Sequence, residues 1–136
     1  MHNIKRVKMK QFISILIITI IVNVLCIWDL CFTQDVFKTM KIESNQIYEA
    51  LITTPITDKD VSKKIIDLKE YWTDKMNVLV VSISRKDLQP ISDYLNYLDS
   101  AITNDDQDSA ITYALHLKYN LEGLHETVGF SFSNLV

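Results

Sequence analysis

Apolar side chains dominate the stretch from Phe12 to Trp28, FISILIITIIVNVLCIW, and with Gln11 in front of it no residue from 11 to 28 is charged. Eighteen residues at the helical rise of about 1.5 Å reach roughly 27 Å, close to the hydrocarbon thickness of a bilayer. Ser14, Thr19 and Asn23 are its polar interruptions, and a helix carries hydroxyls by bonding them back to its own carbonyls. The stretch predicts one membrane-spanning helix.

After Asp29 the pattern becomes periodic. Val36, Met40, Ile47 and Leu51 predict one face of a helix from near Gln34 to Ile52, with Lys41 and Glu43 off that face, and continuity with the apolar helix is open. Thr53, Thr54 and Pro55 end it, because the residue before a proline is pushed out of the α region. A second helix opens at Thr57 or Asp58 as its cap, with Asp60 in the first turn, and carries Val61, Ile65, Leu68, Trp72, Leu79 and Ile83. Its end, NVLVVSIS, is rich in β-branched residues that suit a strand. With no second strand to pair with, the helix reading is kept through this segment. The Trp72 ring is expected in the core rather than at a binding surface.

Asp87 opens a third helix with Pro90 in its first turn and Ile91, Leu95, Leu98 and Ile102 as its stripe. The acidic segment Asn104 to Asp108 then leads to a fourth helix bearing Ile111, Ala114, Leu121, Leu124 and Val128, with Gly129 as its stop. So short a connection predicts an antiparallel helical hairpin. The closing FSFSNLV alternates, and as an extended segment it would put Phe130, Phe132 and Leu135 near one side. That tail is expected to fold back as an apolar clasp over the last two helices, or else to serve as a docking peptide.

The fold class predicted is therefore all-α: one N-terminal transmembrane helix followed by a small helical bundle that ends in the hairpin. Residues 1–10 form a basic start, 11–28 the span and 29–136 the outer domain. Only two Gly and two Pro occur among 136 residues, which disfavours an all-β fold with its frequent tight turns.

Charge sets the orientation. Lys5, Arg6, Lys8 and Lys10 precede the span with no acid among the first ten residues, whereas only Lys38 and Lys41 follow within fifteen residues of its end. The positive-inside rule then predicts a cytoplasmic N-terminus and an outer domain beyond the cell membrane, with Trp28 at the outer lipid boundary. A cleaved secretory signal shares the basic start, but this apolar run is longer than a usual signal core and no Ala-x-Ala site follows it. Leu25 before Cys26 fits a lipoprotein cleavage box poorly, so an uncleaved anchor is expected.

From Asp87 to Val136 eight acids stand against Lys118 alone, a net charge of -7 over fifty residues. Nucleic acid is therefore not an expected partner, since phosphate binding needs Lys and Arg. Cys26 and Cys31 are five apart, neither a redox nor a zinc spacing. Self-association is open, and Cys31 is the residue that would cross-link two chains in an oxidising compartment.

No local catalytic pattern is present, so neither an enzyme nor a cofactor is expected. Glu122 and His125 share a helical face as in di-iron bundles, but such a site needs a second Glu-x-x-His and two further carboxylates, and no second copy of the motif exists. A solvated His125 is the expectation. Asn104, Asp106 and Asp108 mimic the start of a calcium loop, but Ser109 replaces the required Gly and Leu115 the bidentate Glu. These acids are expected to solvate the turn and cap the next helix. Two glycines cannot make a phosphate loop.

The order of basic start, single span, Trp72 helix, Asp87-led leucine-rich helix, acidic loop, His125-ended helix and closing Ser131 to Leu135 element resembles the bacterial family known as domain of unknown function 4363. Members of that family often carry a His at the end of the second helix, where this chain has Ser84 and Arg85. The resemblance implies a small membrane-anchored helical protein with no assigned activity. Together these readings predict a non-enzymatic protein in the lipid bilayer, presenting its bundle to a membrane or envelope protein. The alternative is a ligand or cation sensor using the acidic hairpin.

Overall fold

Residues 2–133 are described by the computed structural model, with side chains described for residues 8–127. Four helices follow in order, α1 (His2–Thr53), α2 (Lys59–Leu79), α3 (Arg85–Thr103) and α4 (Gln107–Ser133), and no strand occurs among the described residues. The all-α class is as the hydrophobic pattern predicts. The chain divides into two compact units, Met1–Thr33 and Gln34–Val136.

The second unit is a four-helix bundle whose chain directions can be read from residue pairs. Lys69 on α2 meets Asp99 on α3, and Trp72 meets Ser92, so rising numbers on one helix face falling numbers on the next. The same holds for α3 and α4, where Tyr94 stacks on His116 and Tyr97 lies against Tyr113. Both pairs of helices are antiparallel, as the short connections require. The end of α1 closes the ring: Phe37 lies 6.5 Å from Trp72 between ring centroids, and Lys118 sits over the Tyr48 ring.

The core holds most of the predicted stripe positions, with additions, while Ile102, Ile111 and Leu124 are only half-buried. Val36, Met40, Ile47 and Leu51 are buried on α1, Val61, Ile65, Leu68, Trp72 and Leu79 on α2, Ile91, Leu95 and Leu98 on α3, and Ala114 and Leu121 on α4. Phe37, Ile56, Leu88, Ala101, Ala110 and Leu117 join them. Trp72 is a core residue, and its indole N–H donates to Ser92 Oγ at 2.8 Å.

Helix ends follow local chemistry. Asp58 caps α2 by accepting from the backbone N–H groups of Asp60 and Val61. α2 stops at Leu79, however, and Val80–Ser82 form a turn, which corrects the continuous helix expected through NVLVVSIS. β-branched Val78, Val80 and Val81 add little helix propensity, and with Val81 facing solvent rather than a neighbouring helix no packing carries the helix past Leu79. Val81 is left 84% exposed and Ile83 only half-buried.

α3 begins at Arg85, before Asp87, so Pro90 lies in the second turn rather than the first. Having no N–H, Pro90 leaves the Lys86 carbonyl without its helical donor, and Lys86 is exposed where water can serve instead. α3 ends in a Schellman motif, with Asp106 N–H donating to Ala101 O and Asp105 N–H to Ile102 O. Asp105 holds the left-handed position, φ 52°, that glycine usually takes.

The connection between α3 and α4 is Asn104 to Asp106, shorter than expected because Gln107 and Asp108 already belong to α4. α4 continues through Gly129 to Ser133, correcting the stop placed at Gly129. A glycine weakens a helix by only about 1 kcal/mol relative to alanine and ends it only where the chain turns away. The backbone at Phe130 and Phe132 is thus helical rather than extended. Their side chains, the side chain of Val128 and all of Leu135 lie outside what is described, and so does the expected clasp.

Candidate functional site

The first feature that calls for a function is the surface of α1 between Phe12 and Trp28. Every residue from 12 to 28 is exposed, including Phe12, Ile18, Ile20, Val24 and Ile27. Soluble monomers rarely leave apolar patches beyond a few hundred Å² uncovered. α1 is long and apolar enough to cross a membrane by length and composition, with a mean hydropathy of 2.6 over its most apolar window and none of that window buried.

Its polar side chains turn inward on the helix itself. Ser14 Oγ donates to Lys10 O at 3.0 Å, Thr19 Oγ1 to Ile15 O at 2.9 Å and Asn23 Nδ2 to Thr19 O at 2.7 Å. Lys8 and Lys10 are exposed at its start, while the side chains of Lys5 and Arg6 lie outside those described. Trp28 is 58% exposed and stacks on Phe32 with ring centroids 5.6 Å apart. Cys26 and Cys31 are both exposed free thiols.

The bundle carries three features of its own. One is a polar groove of about 450 Å³ between α2 and α3, lined by Ile66, Lys69, Glu70, Thr73, Asp74, Asn77 and Asp99. Lys69 and Asp99 pair across it at 2.5 Å while each remains about a third or more exposed, so solvent screens most of the attraction. Beside it Asp74 raises the Lys75 ammonium above its ordinary range by a hydrogen bond and its charge, at 3.0 Å.

The second is an aromatic seam on α3 and α4. Tyr94 and His116 stack at 5.5 Å, Tyr97 meets Tyr113 at 5.2 Å, and Tyr94 meets Tyr97 edge-on at 6.0 Å. Apolar periodicity passes over it, since these rings flank the buried stripe. The signal that would have found it is the repeated i, i+3 spacing of Tyr94 with Tyr97 and of Tyr113 with His116.

The third is the acidic turn, where the carboxylate of Asp106 caps α4. One oxygen accepts from Ser109 N–H at 3.0 Å and the other from Ser109 Oγ at 2.6 Å, and these bonds hold its pKa below the ordinary carboxylate value. Asn104 donates to Ser100 Oγ instead of facing Asp106. The three residues of the calcium-like spacing thus serve the turn and the helix start.

Glu122 and His125 do lie on one face of α4, but Glu122 borders a groove against α1 with Lys41, Asn45, Gln46 and Lys118. His125 is half-buried, which corrects the solvated reading, and its Nδ1 is buried with no hydrogen bond among the described residues. His116 is exposed in the aromatic seam, on another side of the helix. Among the described residues no group of three or more His, Cys, Asp or Glu side chains is placed to hold a metal ion.

Gln107 is a further residue that sequence reasoning missed. Its amide nitrogen donates to the carbonyls of Leu51 and Thr54, and its oxygen accepts from Ile56 N–H, tying the turn after α1 to the start of α4.

No family model, no curated protein and no solved structure matches the chain.

Proposed function

We propose that this chain is a single-pass membrane protein whose helical bundle, outside the cytoplasmic membrane, engages another membrane or envelope protein without catalysing a reaction. The observation that carries the reading is the uncovered apolar surface from Phe12 to Trp28, which only lipid or another apolar surface can satisfy. The basic residues Lys5, Arg6, Lys8 and Lys10 in front of it support a cytoplasmic N-terminus. An exposed indole at Trp28, stacked on Phe32, suits the outer lipid boundary. Membership in the domain of unknown function 4363 family belongs to the same reading, and that family implies an anchored helical protein.

A cation sensor built on the acidic hairpin has less support, because both oxygens of Asp106 already cap α4. The polar groups around Lys69 and around Glu122 line open grooves rather than a closed, converging site.

Topology is the test. In cells stripped of their wall, added protease should remove a tag placed after Val136 and spare one placed before Met1. The chain should also stay in membranes washed with alkaline carbonate. Protection of the C-terminal tag with digestion of the N-terminal one would reverse the orientation, and release by the wash would overturn the anchor.

A further inference from the structure

We propose that the apolar helix pairs with the same helix of a second copy of this chain, through the side-chain amide of Asn23. The proposal rests on the reading that α1 crosses the bilayer.

Phe12, Leu16, Thr19, Asn23, Cys26 and Leu30 follow one another at alternating spacings of four and three. That spacing lays them along a single seam of a helix, the pattern by which two helices pack side by side. Among the described residues nothing covers the seam from Phe12 to Cys26, all of which is exposed.

The polar side chains of the stretch differ in what they leave unmet. Ser14 and Thr19 each have one hydroxyl proton, and each gives it to a backbone carbonyl one turn back. Asn23 has two amide protons and an acceptor oxygen. One proton goes to Thr19 O at 2.7 Å, and neither the second proton nor Oδ1 has a partner among the described residues. In hydrocarbon no water can serve them, so an amide at this depth seeks a partner on another helix.

The identity of that partner follows from the amide itself. A carboxylate would call for a donor and an ammonium for an acceptor, but an amide offers both at once. Two copies related by a two-fold axis bring Asn23 to Asn23, and each oxygen then accepts from the other nitrogen, the self-complementary arrangement of an isologous interface. Thr19 and Cys26, four before and three after Asn23 on the seam, are short side chains that let two backbones approach closely enough for the amides to meet. A single buried Asn in a seam whose one hydroxyl, on Thr19, is already bonded to its own helix also fixes register and the number of strands.

The full chain in its membrane is the test material. Two differently tagged copies are co-expressed, membranes are washed with alkaline carbonate, and one tag is captured in mild detergent while the other is counted. The native chain should carry its second copy along, Asn23→Val should lower that self-capture by about 3- to 30-fold, and Asn23→Gln, which keeps the amide, should retain most of it. In a Cys31→Ser background, a membrane-permeant thiol oxidant should join two chains through Cys26, less so with Asn23→Val.

If the washed membranes hold the protein but the native chain captures no second copy, or Asn23→Val captures as much as the native chain, the pairing is overturned and the anchor stands. If the wash releases the protein, the anchor is overturned and the pairing with it.

Discussion

Asp105 and Asp106 are neighbours with the same side chain, and their backbones set them to different tasks. Asp105 takes the left-handed position that closes α3, and Asp106, one residue on, uses its carboxylate to open α4. The Asp106 pKa is lowered in the folded chain by its bonds to Ser109. A lowered folded value means that the charged carboxylate stabilises the fold above the unfolded value near 3.8, and that this contribution fades as pH falls through the folded value. The melting temperature of the native chain should therefore exceed that of Asp106→Asn from pH 6 down to about 4, and the difference should shrink below that. A constant difference down to pH 2.5 would show that the charge adds nothing to the cap.

Between elements, the connections decide more than the helices do. The turn from α1 to α2 is held from inside by buried Ile56, from α2 by Ser62 Oγ donating to Ile56 O, and from α4 by Gln107. Gln107 thereby satisfies carbonyls at the end of α1 that have no helical partner. Gln107→Ala should lower stability by about 2 to 4 kcal/mol, since three hydrogen bonds go and the part-buried backbone groups of Leu51 and Ile56 are left unpaired. Gln107→Glu should be no better, because a carboxylate would face the carbonyls of Leu51 and Thr54. Thermal melts of the chain in detergent read both variants. A change within about 0.5 kcal/mol of native for Gln107→Ala would mean that water replaces the amide without loss.

For the whole molecule, the division into Met1–Thr33 and Gln34–Val136 separates two solvents' worth of surface. The first unit exposes apolar side chains, and the second buries them in a core that draws on all four helices. Fragment 34–136 should therefore fold by itself in water, with a helix-dominated far-ultraviolet spectrum and a cooperative melt. A fragment that is unfolded or aggregated without the first unit would show that the core depends on residues before Gln34.

The amino-acid sequence by itself determined the apolar span, the helical class, the caps at Asp58 and Asp106, and most of the buried stripe, from Val36 and Met40 to Leu98 and Leu121. Each of these depends on spacing along one helix or on a side chain bonding to backbone within three residues. Tertiary structure alone decided where α2 stops, how Gln107 ties the α1–α2 turn, how Tyr94 and His116 come to stack, and that His125 is half-buried. Those outcomes pit one neighbour against another across helices, and a residue at the edge of a stripe is drawn inward or left in water by whatever the facing helix presents there. The half-satisfied amide at Asn23 lies between the two cases: its place in an apolar run is sequence, but that only Thr19 O, among the described residues, meets it is visible only in the fold.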